Sequence, residues 1–171
     1  LTPDAAADSR ARREREAQRL QELIAFGEGR LRIPVLDMAG IAELLRSSHR
    51  IAMIGASSNP TRPSNGVFRY LRAVGYDVVP VSPTETAVEG VAAFPTLAEA
   101  VAATGPFDIV DVFRRAEFCA EHAREAVAAG ARCLWLQLGI VSVAAAEIAL
   151  AGGLELVMDR CTKVEHVRLI R

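Results

Sequence analysis

The sequence is poor in the residues that build disulfide scaffolds, metal centres and membrane spans. Its three cysteines, Cys119, Cys133 and Cys161, are odd in number and widely spaced. That pattern argues against a disulfide framework or a Cys-rich metal site and reads as reduced thiols. The three histidines, His49, His122 and His166, lie far apart with no HExxH spacing, so no metal is expected. No apolar run reaches the roughly 18 residues of a membrane helix. No charged, apolar and cleavable leader pattern opens the sequence, and the cytoplasm is the expected compartment. A formal net charge of -1 gives no general attraction to nucleic acid or to an anionic membrane, and neither is expected as a partner.

What is present suits one globular domain. The chain has 171 residues, 51% of them hydrophobic, enough for a sizeable core but not for a second full domain. The stretch "ADSRARREREAQRLQELIAFGEG" has helix-forming composition, interleaved charges and a Gly27/Gly29 stop. Residues 1–35 are therefore expected to be a helical extension, with Leu20, Ile24 and Phe26 packing on the body or on a partner. "LDMAGIAELLRSS" predicts a second helix starting near Asp37, with Ile41, Leu44 and Leu45 as its apolar face.

From Arg50 onward, short apolar runs alternate with helical patterns. "IAMIGA", "DVVPVSP", "FDIVDVF", "CLWLQLG" and "LELVMD" read as strands buried on both faces, separated by helices, with "TETAVEGVAA" as the one longish irregular connection. The expected fold is α/β: a Rossmann-like, doubly wound, five-stranded parallel sheet in three α/β/α layers, with extra N-terminal helices.

In such a sheet, ligands bind beyond the carboxyl ends of the strands. The first strand runs into "GASSNPTRPSNG", where the small residues Gly55, Ala56, Ser57 and Ser58 admit close approach to free N–H groups. Ser57, Ser58 and Asn59 add side-chain donors, and Arg62 adds a planar cation suited to phosphate. The other reading is an ordinary strand-to-helix turn capped by Ser64. The GxGxxG fingerprint of dinucleotide sites is missing, and the second strand ends in Ser82 and Pro83, with Glu85 only in the loop beyond. A phosphate-bearing nucleotide other than NAD(P) fits better, although an NAD(P)-binding, redox-sensing protein stays open.

Five segments, "GASSNPTRPSNGV", "VVPVSP", "DIVDVFRR", "WLQLGI" and "VMDRCTKVEH", resemble in order and spacing the stand-alone CoA-binding proteins. Their Rossmann-like domain also opens the succinyl-CoA synthetase alpha subunit. The resemblance covers about residues 41–170 and implies a CoA-binding domain over 36–171. It implies that coenzyme A, or an acyl-CoA, lies across the strand ends. Gly55, Ala56, Ser57 and Ser58, followed by Asn59 and Arg62, would then cradle phosphates, and Val81, Ser82 and Pro83 would face the adenosine. Phe113 would pack on adenine or on the pantetheine arm, and Arg114 would reach a phosphate, with Arg115 a weaker candidate. Gln137 would bond the ligand's amides or satisfy neighbouring loop backbone. The family often has Asn at the place of Ser82, and the synthetase subunit has Lys where Thr84 and Glu85 stand, so the adenosine end departs from the pattern.

"MDRCTKVEH" gathers titratable groups, but proximity in sequence is not geometry. Asp159 with Arg160 reads as an ion pair or cap, Lys163, Glu165 and His166 as a solvated continuation, and Cys161 as a buried inert thiol, with exchange against the CoA thiol as the weaker alternative. No GxSxG elbow supports a serine nucleophile. The expectation is a CoA binder without catalysis of its own. An interaction subunit of an acyl-CoA enzyme, or a homo-oligomer, stays open.

Overall fold

A computed structural model of the chain describes residues 3–170. Its strands in chain order are β1 (Arg50–Ile54), β2 (Asp77–Val81), β3 (Ala87–Val88), β4 (Val91–Ala92), β5 (Ile109–Val112), β6 (Cys133–Leu136) and β7 (Glu155–Val157). The helices are α1 (Pro3–Gly27), α2 (Met38–Ser47), α3 (Pro63–Ala73), α4 (Leu97–Thr104), α5 (Ala116–Ala128), α6 (Val143–Ala151) and α7 (Thr162–Leu169).

Five strands form one parallel sheet in the order β2-β1-β5-β6-β7. Connections run outward from β1 in one direction to β2 and in the other to β5, so the topology reverses between β1 and β5. A doubly wound sheet opens its ligand crevice at that point.

Alternation along the strands divides the interior into two layers. Ala52, Ile54, Val110, Val112, Leu134 and Leu136 face α4, α5 and α6, where Ala123, Ala126, Ala145 and Ala149 allow close packing. Ile51, Met53, Ile109 and Trp135 face α2 and α3 through Ile41, Leu44, Phe68 and Leu71. Both sheet faces are thus covered, which is why the strands read as continuous apolar runs. Helix starts follow local chemistry. Asp37 accepts from the N–H of Gly40 at 2.8 Å, and Ser142 accepts from Ala145 at 3.2 Å. Thr96 accepts from the Glu99 N–H at 3.2 Å while its hydroxyl donates to the Glu99 carboxylate at 3.0 Å.

Four sequence expectations differ from the structure. Helix α1 does not bury Leu20 and Ile24, which are 55% and 44% exposed; Leu23, Ala25 and Phe26 pack inward instead. "TETAVEGVAA" is not irregular throughout, because β3 and β4 form a two-residue hairpin at Glu89 and Gly90, both with positive φ. Helix α3 is not capped by Ser64: Arg62 holds the cap position without a side-chain bond, and Pro63 opens the helix with its preset φ. The segment after β7 is helix α7, with Thr162, Glu165 and His166 buried against the body. His166 Nδ1 lies 2.9 Å from the hydroxyl of Tyr70.

Candidate functional site

The carboxyl ends of β1, β5 and β6 open onto a cleft of about 690 Å³. On one side stands the β1–α3 turn. Gly55 has φ +80° and donates its N–H to Val81 across the sheet at 2.9 Å. A Cβ at Gly55 would lie 2.5 Å from the carbonyl oxygen of Phe113. The glycine is therefore demanded by the neighbouring strand end, and not only by the approach of a ligand.

Beyond Gly55 the turn is already satisfied by an internal anion. Glu85, in the loop after β2, accepts the Ser58 N–H at 2.9 Å, the Ser58 hydroxyl at 2.7 Å and the Ser57 hydroxyl at 3.2 Å. The backbone bond from Ser58 and then its hydroxyl hold the Glu85 carboxyl below the usual range; desolvation opposes them, and the Ser57 hydroxyl adds a lesser lowering. The turn is thus a working set of anion donors. Asn59 accepts the Thr61 N–H at 2.9 Å and its hydroxyl at 2.8 Å, which shapes the loop toward Arg62.

Opposite the turn, Phe113, Arg114 and Arg115 bring the end of β5 to the cleft, and Arg62 reaches it from the start of α3. Arg114 stacks its guanidinium 5.2 Å from the ring centre of Phe118. Arg115 has only a long 4.0 Å pairing with the exposed Glu117. The cleft thus combines N–H and hydroxyl donors with guanidinium groups, a donor set suited to phosphate esters.

Gln137, which lines the cleft, belongs to a buried polar triad. Gln137 Nε2 donates to Asp111 at 2.6 Å and to the Thr162 hydroxyl at 2.9 Å, while Thr162 donates to the other Asp111 oxygen at 3.0 Å. Asp111 has no exposed surface, and burial pushes its carboxyl up to about 7 despite the lowering effect of both hydrogen bonds. The Gln137 amide nitrogen, expected at a ligand or at loop backbone, therefore binds side chains of β5 and α7. Asp159 differs from expectation too: it accepts the Gly139 N–H at 2.7 Å, while Arg160 pairs with Glu165 at 3.0 Å. The loop after β6 is tied to the end of β7 by that bond.

Of the residues expected at the site, Gly55, Ala56, Ser57, Arg62, Ser82, Phe113, Arg114 and Gln137 line this one cleft. Ser58 is exposed and bonds Glu85, which does line the cleft, and Asn59 is engaged in the local turn. Val81 and Pro83 line an adjoining hollow of about 120 Å³ near Pro95, which shares Gly55 and Arg114 with the cleft. Three further residues belong to the site. Glu85 could be read from the sequence only as a loop acid. Asp111 had a signal, one acid inside the apolar run "DIVDVF". Arg19 of α1 also lines the cleft, and no local pattern in the sequence points there. Helix α1 is held in place by Glu22, which accepts the Val143 N–H at 3.1 Å, and by Leu23 and Phe26.

With this geometry in view, a family model described as CoA binding domain matches residues 49–167. The chain belongs to the CoA binding domain family. The domain is 39% identical over 128 residues to the uncharacterized protein YneT of Bacillus subtilis (strain 168), covering 75% of this chain and 93% of that one. Among solved structures it is similar to a hypothetical protein from Pyrococcus horikoshii OT3, at 33% identity and a TM-score of 0.75 over 80% of this chain and 94% of that one. The structure of cell-free ID.343 from Thermus thermophilus is 35% identical, with a TM-score of 0.72 over 78% and 99%. The matched segment of this CoA binding domain begins at residue 49, so α1 and its Arg19 lie outside it.

Proposed function

We propose that this chain binds coenzyme A, or an acyl-CoA, in the cleft at the carboxyl ends of β1, β5 and β6, and that it carries out no reaction by itself. The observation that carries the reading is the β1–α3 turn, whose donors converge on a carboxylate beside Arg62, Arg114 and Arg115. In this reading the turn from Gly55 to Ser58 and Arg62 take the coenzyme's pyrophosphate, Ser82 faces the adenosine, and Phe113 offers a ring face. Arg114, with Arg19 from α1, adds charge for a further phosphate. Gln137 acts as a positioning residue, because Asp111 and Thr162 hold its amide.

Residues 1–35 form the helical extension in this account, and 36–171 the ligand-binding domain. No catalytic residue is assigned. Among the described residues no helix is long and apolar enough to cross a membrane, and no cluster of His, Cys, Asp and Glu could hold a metal. Free thiols at Cys119, Cys133 and Cys161 suit a reducing compartment such as the cytoplasm.

A thermal-shift titration with CoA, acetyl-CoA, NAD(H), NADP(H) and ATP tests the reading. A ligand at about 100 times its dissociation constant adds roughly 2.7 kcal/mol, which raises the midpoint of a chain this size by several degrees. A shift with the CoA species and none with the dinucleotides is expected. A shift with NAD(H) alone would replace CoA by a dinucleotide as the ligand.

A further inference from the structure

We propose that Glu85 is a specificity-determining residue that occupies the phosphate seat, so that a ligand binds there by exchanging its own anion for the Glu85 carboxylate. The inference rests on reading the Gly55–Ser58 turn as the phosphate seat, and it adds to that reading what the seat selects.

The geometry is that of a seated anion. One carboxylate takes a backbone N–H and two hydroxyls, at 2.9, 2.7 and 3.2 Å. These are the neutral donors that the turn offers to any negative group. The lowered Glu85 carboxyl shows that the bonds favour its charged form.

The cations of the cleft are left to others. Among the described residues, neither Arg62 nor Arg114 has a carboxylate within ion-pair distance, and Arg115 reaches only Glu117 at 4.0 Å. The cleft therefore has three neutral donors of its turn filled by Glu85, while Arg62 and Arg114 stand open.

Both features act together on a ligand. A weak or singly charged anion gains little by displacing a carboxylate that already holds three bonds. A pyrophosphate ester gains those donors and the open guanidinium groups at once, so it alone offsets the exchange. If the carboxylate stays in place it also repels any phosphate brought beside it. Glu85 thus works against poorly charged ligands and sets the threshold for those that bind, which is how an unfavourable element creates specificity. Its place in the loop after β2, half-buried and outside the sheet, leaves it free to swing aside without breaking a strand.

The test is calorimetric titration of the whole chain and its Glu85→Gln and Glu85→Ala variants, with inorganic pyrophosphate and with CoA as probes at one ionic strength. Exchange predicts tighter binding of both probes in the variants, about tenfold for Glu85→Ala, because the competing charge-assisted bonds are gone. Introducing Ser58→Ala should shrink that gain, since carboxylate and phosphate compete for the same hydroxyl. Unchanged affinity in both Glu85 variants would overturn the proposal. So would weaker binding, which would mean that the carboxylate remains and itself bonds a ligand hydroxyl. If pyrophosphate tightens in the variants while CoA binds to none of the chains, the exchange stands and the CoA reading falls. Matching thermal midpoints of the three chains show that the comparison is between folded proteins.

Discussion

Replacing Asp111 by Asn should remove a pH dependence of stability that is built into the buried triad beside the cleft. Asp111 sits in the middle of β5, between Met53 of β1 and Trp135 of β6, with no exposed surface. Burial outweighs the bonds from Gln137 and Thr162 and raises its carboxyl from the ordinary 3.8 to about 7. The folded chain therefore holds the proton more tightly than the unfolded chain does. Between about pH 4 and 7 the unfolded state binds fewer protons, so this group's contribution falls as pH rises and is lowest above about 7. Three pH units at 1.36 kcal/mol each set an upper scale on the order of 4 kcal/mol. Asn keeps the shape and can still accept from Gln137 while donating to Thr162, so the triad survives without a charge to bury.

Urea denaturation of both chains at pH 5, 6, 7 and 8 measures this. The difference between them isolates Asp111 from the other titrating groups. The wild-type chain should lose stability relative to the variant from pH 5 to 8, by one to a few kcal/mol on the scale above. The variant should be the more stable of the two at pH 8. Parallel pH profiles would refute the reasoning, as would a variant that is less stable at pH 8.

Gly55→Ala should destabilise the fold by about 2 kcal/mol or more, because a Cβ would meet the Phe113 carbonyl at 2.5 Å in a residue with φ +80°. Unchanged urea midpoints would show that the β1 and β5 ends separate freely. Arg62→Ala should weaken CoA binding by about 1.5 to 3 kcal/mol, the range of a charge-assisted hydrogen bond, with the melting temperature unchanged. Equal affinity would remove Arg62 from the phosphate contacts. Arg19→Ala should weaken CoA severalfold and leave stability within about 0.5 kcal/mol, since the side chain is exposed and its ion pair with Glu16 at 3.1 Å is a surface one. Equal CoA affinity would make α1 a bystander to the cleft.

The five apolar runs were legible because a sheet covered on both faces needs mostly apolar strands, as in "IAMI" and "CLWL", with Asp111 of β5 the buried exception. The β1–α3 turn was legible for the same kind of reason, since small residues followed by hydroxyls and Arg62 mark a backbone that an anion can approach. Helix α7 was not, because its inward side carries Thr162, Glu165 and His166, polar residues whose burial depends on partners elsewhere in the chain. Glu85 was visible as an acid but not as the occupant of the turn. Its three donors lie 27 and 28 residues earlier, and only the fold brings them together. Arg19 depends on how α1 docks, and that rests on Leu23, Phe26 and one bond from Glu22 to the start of α6. The outward Leu20 and Ile24 show that apolar residues in a mostly polar helix do not by themselves say which side packs.

Amide chemical-shift mapping of the ¹⁵N-labelled chain during a CoA titration tests the central claim most directly. Saturable shifts at Ser57, Ser58, Phe113, Arg114 and Gly139 are predicted, with the amides of the groove between Arg69, Arg72 and Lys163 unmoved. A spectrum that does not respond to millimolar CoA, or shifts confined to that second groove, would contradict the account.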